Sequence, residues 1–230
     1  MRTTIGAMKE AWEAIHAVAR FRPRYPNEEV VRWAFRCLDV AHASDVKVLD
    51  LGCGAGRHAI FFASEGFDVR GCDISATGVA HLQELASQRG LQIPTDICAA
   101  DDLSGYPSDS FDAVLSFGVL YYLTLDGAQK AVCEIERVLK PNGRVFCVVR
   151  TDRDGRLRDA AKIGDCAWRI EAVGRDAPSD VECGMDLLFF SRSEIEALFY
   201  PLSGLQVGRM TREHGDFRDD DWLIYAQKHA

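Results

Sequence analysis

The run Val48-Leu49-Asp50-Leu51-Gly52-Cys53-Gly54-Ala55-Gly56-Arg57 sets a carboxylate and three glycines at the end of an apolar stretch. A glycine-rich turn between a strand and a helix removes the Cβ atoms that would keep a ligand away from the backbone. The spacing selects the ligand. A dinucleotide fingerprint needs G-x-G-x-x-G, and Arg57 stands where its third glycine would be. Asp50 would repel a pyrophosphate, whereas it suits a ligand carrying an ammonium or sulfonium charge. Farther along, Tyr121 and Tyr122 follow a strand pattern, at the rim where open α/β sheets bind ligands. With His58, in the first turn after the glycines, they are the candidates for a general base or for the wall of an acceptor pocket. Capping or packing is the competing role for His58, and aromatic packing for the tyrosines.

The elements that must position these groups follow from the hydrophobic pattern. From Val46 onward, short β-branched-rich runs alternate with longer stretches of helical period, the pattern of strand-helix-strand units on a parallel sheet. Strands are expected at residues 46–51, 68–72, 92–98, 113–117 and 144–149, with helices in most of the gaps. Ser75 reads as an N-cap, and a helix over 126–139 stops at Lys140-Pro141-Asn142-Gly143. Ser191 and Glu194 have capping-box spacing before a helix that Pro201 ends, and the runs 205–210 and 222–227 read as an antiparallel hairpin closing the sheet edge. The fold class predicted is α/β, a doubly wound and mostly parallel sheet with helices on both faces. The 230 residues read as one domain, with a helical cap over 1–43, a core over 46–150, a lid or substrate wall over 151–190, and a terminal helix and hairpin over 191–230.

Composition narrows the partners. Against 27 Lys plus Arg stand 35 Asp plus Glu, and the formal net charge of -8 would repel a phosphate backbone, so no nucleic-acid partner is expected. The eight cysteines stand singly, without Cys-x-x-Cys or histidines at zinc spacing, and read as buried reduced thiols with no metal site. The first twenty residues lack a continuous apolar region, and the longest nearly apolar run, 113–125, is too short to span a bilayer. No membrane association and a cytoplasmic location are expected. Arg150, Arg153, Arg156 and Arg158 alternate with Asp152, Asp154 and Asp159, which reads as a solvated, self-paired loop.

VLDLGCGAG, an acid followed by G-x-G-x-G, resembles the first motif of the class I S-adenosylmethionine-dependent methyltransferases and matches it at every defining position. The segments DVRGCDIS, ICAADDL, FDAVLSFGVLYYL and EIERVLKPNGRVFCVV then resemble the later family motifs in order, so that the likeness covers roughly residues 46–149. The resemblance implies a seven-stranded Rossmann-like sheet with its last strand antiparallel. It also implies S-adenosylmethionine as cofactor, S-adenosylhomocysteine as product and a small-molecule acceptor methylated at O, N or C.

Residue by residue, the resemblance implies cofactor contacts at Asp50, Gly52, Cys53, Gly54 and Gly56, with a ribose diol on Asp73 beside Ile74. Asp101 or Asp102 with the neighbouring Leu103 would meet the adenine, and Ser116, Phe117 and Gly118 would close the site after the fourth strand. The N-terminal FRPRYPNEEVVRW is similar to a segment in which an aromatic residue, here Tyr25, covers the cofactor. Ser116 and Arg150 at two strand ends argue against a catechol-type metal site. Replacing Asp73 should weaken cofactor binding and leave the fold intact. A monomer or homodimer is expected. Two rival classes stay open: a non-catalytic S-adenosylmethionine-binding protein, and a nicotinamide oxidoreductase, which the glycine spacing disfavours.

Overall fold

The computed structural model describes residues 5–171 and 181–230. Its strands are β1 (Lys47–Leu51), β2 (Asp68–Asp73), β3 (Thr95–Ile97), β4 (Phe111–Phe117), β5 (Leu139–Arg150), β6 (Ala160–Lys162), β7 (Ala167–Ile170), β8 (Asp186–Leu188), β9 (Ser203–His214) and β10 (Phe217–Gln227). Seven of them form one sheet in the order β3-β2-β1-β4-β5-β10-β9, and β6, β7 and β8 form a small separate sheet. The pairs β3–β2, β2–β1, β1–β4 and β4–β5 are parallel, while β10 runs antiparallel to both neighbours. This is the doubly wound sheet with an antiparallel last strand that the sequence implied.

The helices are α1 (Ile5–Ala17), α2 (Glu28–Cys37), α3 (Arg57–Ser64), α4 (Ala76–Gln88), α5 (Leu125–Val138) and α6 (Arg192–Leu198). Strand alternation divides the core between the two sheet faces. From β5, Val145, Cys147 and Val149 pack with Ala131, Val132, Ile135 and Val138 of α5. Phe146 and Val148 point the other way, into a cluster with Trp33 of α2, Phe62 of α3 and Leu82 of α4. The caps act as read: Ser75 and Thr124 accept from Gly78 N and Gly127 N, each at 3.1 Å, and Ser191 with Glu194 makes a capping box on α6.

Several boundaries differ from expectation. β3 is shorter than 92–98 because Pro94 has no N–H to pair; its carbonyl instead accepts from Gly71 N at 3.0 Å. β5 starts at Leu139, opposite Phe111, so the Lys-Pro-Asn-Gly stretch is an irregularity within the strand, with Asn142 at φ 64°. The segment after β5 carries β6, β7 and β8, and residues 172–180 of the expected lid lie outside the described residues. All eight cysteines are free thiols, but Cys133 and Cys183 are exposed, which corrects the expectation that all are buried. Among the described residues, no helix is long and apolar enough to cross a membrane.

Candidate active site

A cavity of about 570 Å³ lies at the carboxyl ends of β1, β2 and β4. The glycine turn forms its floor. Gly52, Gly54 and Gly56 all have positive φ (74°, 51° and 91°), so the turn needs glycine for its backbone alone. Their surroundings separate their duties. A Cβ on Gly52 would sit 2.2 Å from Val119 Cγ2 and one on Gly56 2.3 Å from Leu82 Cδ1, so both permit close packing. A Cβ on Gly54 would meet only the His16 ring, at 3.1 Å, which marks Gly54 as the position facing the cavity.

Asp73 ends β2, is 8% exposed and lines the cavity. Its Oδ2 accepts from Gly54 N and its Oδ1 from Ser75 N, both at 2.8 Å, tying the turn to the start of α4. Burial raises its pKa, and the two amides partly offset that. Each oxygen retains a lone pair for a ligand hydroxyl. Ile74, Cys53, Phe117 and Gly118 also line the cavity, as does Asp101 from the loop after β3. The residues present therefore fit S-adenosylmethionine: a bare backbone at Gly54, a buried carboxylate for a diol, and a second acid one strand away.

At the other end stand Tyr121 and Tyr122, their ring centroids 4.4 Å apart, with Trp12 edge-on to Tyr122 at 4.9 Å. Burial raises the pKa of both phenols, so they are protonated donors at neutral pH. Tyr122 Oη donates to Glu182 Oε1 at 2.5 Å, and Arg150 lies over the Tyr121 ring at 4.4 Å. Glu182 also receives Arg150 and Arg156, each at 2.6 Å, and Arg156 reaches Asp154 at 3.0 Å and Asp219 at 2.8 Å. Arg156 is thus paired within the loop through Asp154, while Arg150 takes Glu182 from outside it, and both are buried, which corrects the solvated, self-paired reading for these two; Arg153 and Arg158 are exposed. His58 lines the cavity against Phe117, at 5.0 Å between centroids, and its Nε2 accepts from Asn27 N at 3.3 Å. Burial holds it well below its ordinary pKa, so it is neutral with its acceptor nitrogen already engaged.

Five expected contacts are not brought to the cavity. Asp50 shares the α3-side face of β1 with Val48 and is 1% exposed, accepting from Ala59 N beneath the helix start; it does not line the cavity, and burial raises its pKa to about 7. Tyr25 is 74% exposed, and Phe21 and Pro23 from the same segment line the cavity in its place. Asp102 points outward and accepts from Ser104 N at 3.2 Å. Leu103 is fully buried with its amide on Glu134 Oε2 at 2.9 Å. Ser116 is enclosed within the sheet opposite Cys147.

The largest omission of sequence reasoning is α1. Met8, Trp12 and His16 line the cavity, and Glu13 accepts from Ala76 N at 2.8 Å, Thr77 N at 2.9 Å and Ser75 Oγ at 3.0 Å. The helix is pinned across the site by an acid on the amino end of α4, where the helix dipole favours it. The spacing of Met8, Trp12 and His16, four residues apart, was the available signal.

Comparison with known proteins agrees with this geometry. The methyltransferase domain family matches residues 48–143. An O-methyltransferase of ubiquinone biosynthesis from Paraburkholderia phymatum is 35% identical over 108 residues, 46% of this chain and 45% of that protein. The tRNA N(3)-cytidine methyltransferase of Mus musculus is 28% identical over 164 residues, 66% of this chain and 39% of that protein. This chain spans less than half the length of these curated relatives. A solved SAM-dependent methyltransferase from Methanosarcina mazei superposes with a TM-score of 0.67 at 20% identity, covering 89% of this chain and 99% of that one. The motif order, the sheet topology and the domain match agree: residues 48–143 match the methyltransferase domain family, and the chain has the fold of solved S-adenosylmethionine-dependent methyltransferases.

Proposed function

We propose that this protein transfers a methyl group from S-adenosylmethionine to a small-molecule acceptor by in-line displacement. The observation that carries the reading is one continuous cavity joining Asp73 and Asp101 to an aromatic wall of Trp12, Phe21, Tyr121 and Tyr122. When bound, the cofactor supplies a methyl group on a sulfonium, whose carbon–sulfur electron pair stays with sulfur as a neutral thioether. Asp73 and Gly54 would hold the ribose and the adjoining chain, and Asp101 the adenine. The aromatic wall would position the acceptor and exclude water. Of the three base candidates, the tyrosines keep their protons and His58 has its acceptor nitrogen occupied, which favours positioning over general-base catalysis. The net charge of -8 and the roofing by α1 support a small acceptor in place of tRNA.

Calorimetric titration with S-adenosylhomocysteine and with NAD tests the cofactor, and a metabolite screen for S-adenosylhomocysteine release, with tRNA as a parallel arm, tests the acceptor. Equal or tighter binding of NAD would return the chain to the oxidoreductases. Cofactor binding without turnover of any acceptor would favour the non-catalytic binding protein.

A further inference from the structure

We propose that Arg57 is the specificity-determining residue of the acceptor half of the site, and that the acceptor carries a carboxylate which its guanidinium holds. The inference rests on the methyltransferase reading. Arg57 lines the cavity at the start of α3, and among the described residues it makes no hydrogen bond or ion pair. Every other cavity-lining group with a full charge at neutral pH has a partner in reach or an open setting: Asp73 has two amides, and Lys130 has Asp126 at 2.8 Å. The Arg57 guanidinium instead lies over the Phe117 ring at 5.0 Å, which fixes its plane without neutralising its charge.

An unpaired cation in a partly dehydrated cavity is costly, and the cost is relieved by an anion from the ligand. The cofactor brings a second positive charge into the same cavity, so the two cations repel unless a negative group lies between or beside them. The wall next to Arg57 is aromatic and holds protonated phenols, a setting that suits a planar anion with a hydrogen-bond acceptor.

The cofactor's own amino-acid carboxylate has the same chemistry. Position favours the acceptor. The groups that interact electrostatically with Arg57 are Asp50 beneath it, Tyr121 and Arg212, and the last two lie toward β4 and β9, away from Asp73 and Asp101 at the adenosine end.

The test compares wild type, Arg57→Gln and Arg57→Lys. Benzoate and benzamide are titrated into each protein saturated with S-adenosylhomocysteine; separately, S-adenosylhomocysteine and 5′-methylthioadenosine, which lacks the amino-acid tail, are titrated into each free protein. Wild type should prefer benzoate over benzamide by about tenfold or more, the range expected for a charge-assisted hydrogen bond. Arg57→Gln should abolish that preference, Arg57→Lys should keep part of it, and affinity for S-adenosylhomocysteine should change by less than about threefold, well under one hydrogen bond to a charge. Among the described residues the Arg57 side chain makes no hydrogen bond or ion pair, so melting curves should show both variants folded. No preference for benzoate in wild type, including no binding of either probe, overturns the proposal, as does a preference that survives in Arg57→Gln. If Arg57→Gln weakens S-adenosylhomocysteine but not 5′-methylthioadenosine, the carboxylate being read is the cofactor's and the acceptor assignment falls. Failure of wild type to bind S-adenosylhomocysteine at all would instead defeat the underlying function.

Discussion

Replacing Asp73 by Ala should destabilise the fold as well as the cofactor complex. The carboxylate accepts from Gly54 N and Ser75 N, both at 2.8 Å, and the residue is 8% exposed. The substitution strands two amides in a buried place, and hydrogen bonds to a charged group are worth about 1.5–3 kcal/mol each, giving a ceiling of about 6 kcal/mol. Removing the carboxylate also relieves its desolvation, the largest influence on its pKa, so the net loss should be about 2–4 kcal/mol. With a urea dependence of about 2 kcal/mol per molar, that is a drop in the unfolding midpoint of roughly 1–2 M. Asp73→Asn should fall between, because its amide oxygen serves one donor while its NH2 faces the other. Urea titrations followed by circular dichroism, paired with calorimetry for S-adenosylhomocysteine, separate the two effects. An Asp73→Ala protein that unfolds at the wild-type midpoint would refute the argument and restore the simpler expectation that this carboxylate serves only the ligand.

Other outcomes follow from the same geometry. Asp50 has its folded pKa raised from 3.8 to about 7, so its contribution is fully present below about pH 4 and is lost as pH rises through 7, on the order of 4 kcal/mol; Asp50→Asn should flatten that slope, and urea titrations at pH 5 and 8 that stay parallel to wild type would contradict it. Gly56→Ala meets both φ 91° and Leu82 at 2.3 Å and should cost about 2–4 kcal/mol, whereas Gly90→Ala, at φ 67° with nothing within 4 Å, should cost only about 1–2 kcal/mol. Thr77, Ala76 and Ser75 hold the Glu13 carboxyl down to about 2, so this latch is present above about pH 4.5 and lost as pH falls toward 2. At neutral pH, Glu13→Gln should speed amide exchange along α1 but not along α5; equal exchange in the two proteins would remove Glu13 as the latch.

Legibility in the sequence tracked the range of the interactions. The glycine turn, Asp73, the caps at Ser75 and Ser191 and the main strands were readable because each depends on neighbours within a few residues or on an apolar period. The roof was not. Glu13 meets α4 across 62 to 64 positions, and Tyr122 meets Glu182 across 60, distances at which local pattern carries no information. Asp50 was misplaced for a different reason: strand alternation puts it on the face of Val48, under α3, and weighing its charge against a ligand obscured that parity. Tyr25 shows the converse limit, since a motif can locate a segment over the cavity without saying which of its rings turns inward.

The ionic cluster of Arg150, Arg156, Glu182, Asp154 and Asp219 has a consequence for how such a site can diverge. Removing one member of a buried ion pair costs about 3–5 kcal/mol, a large share of the total stability of a typical domain. No single exchange to a neutral or oppositely charged side chain there keeps the charges balanced, so such changes can come only in concert, and the placement of Tyr121 and Tyr122 is inherited with them. Trp12, Phe21 and Met8 carry no such constraint: they contribute apolar surface from a helix and turn at the rim, where one exchange alters the cavity's shape and leaves no stranded charge. A lineage exploring new acceptors would therefore accumulate its changes on the α1 side of the cavity while the β5 side stays fixed.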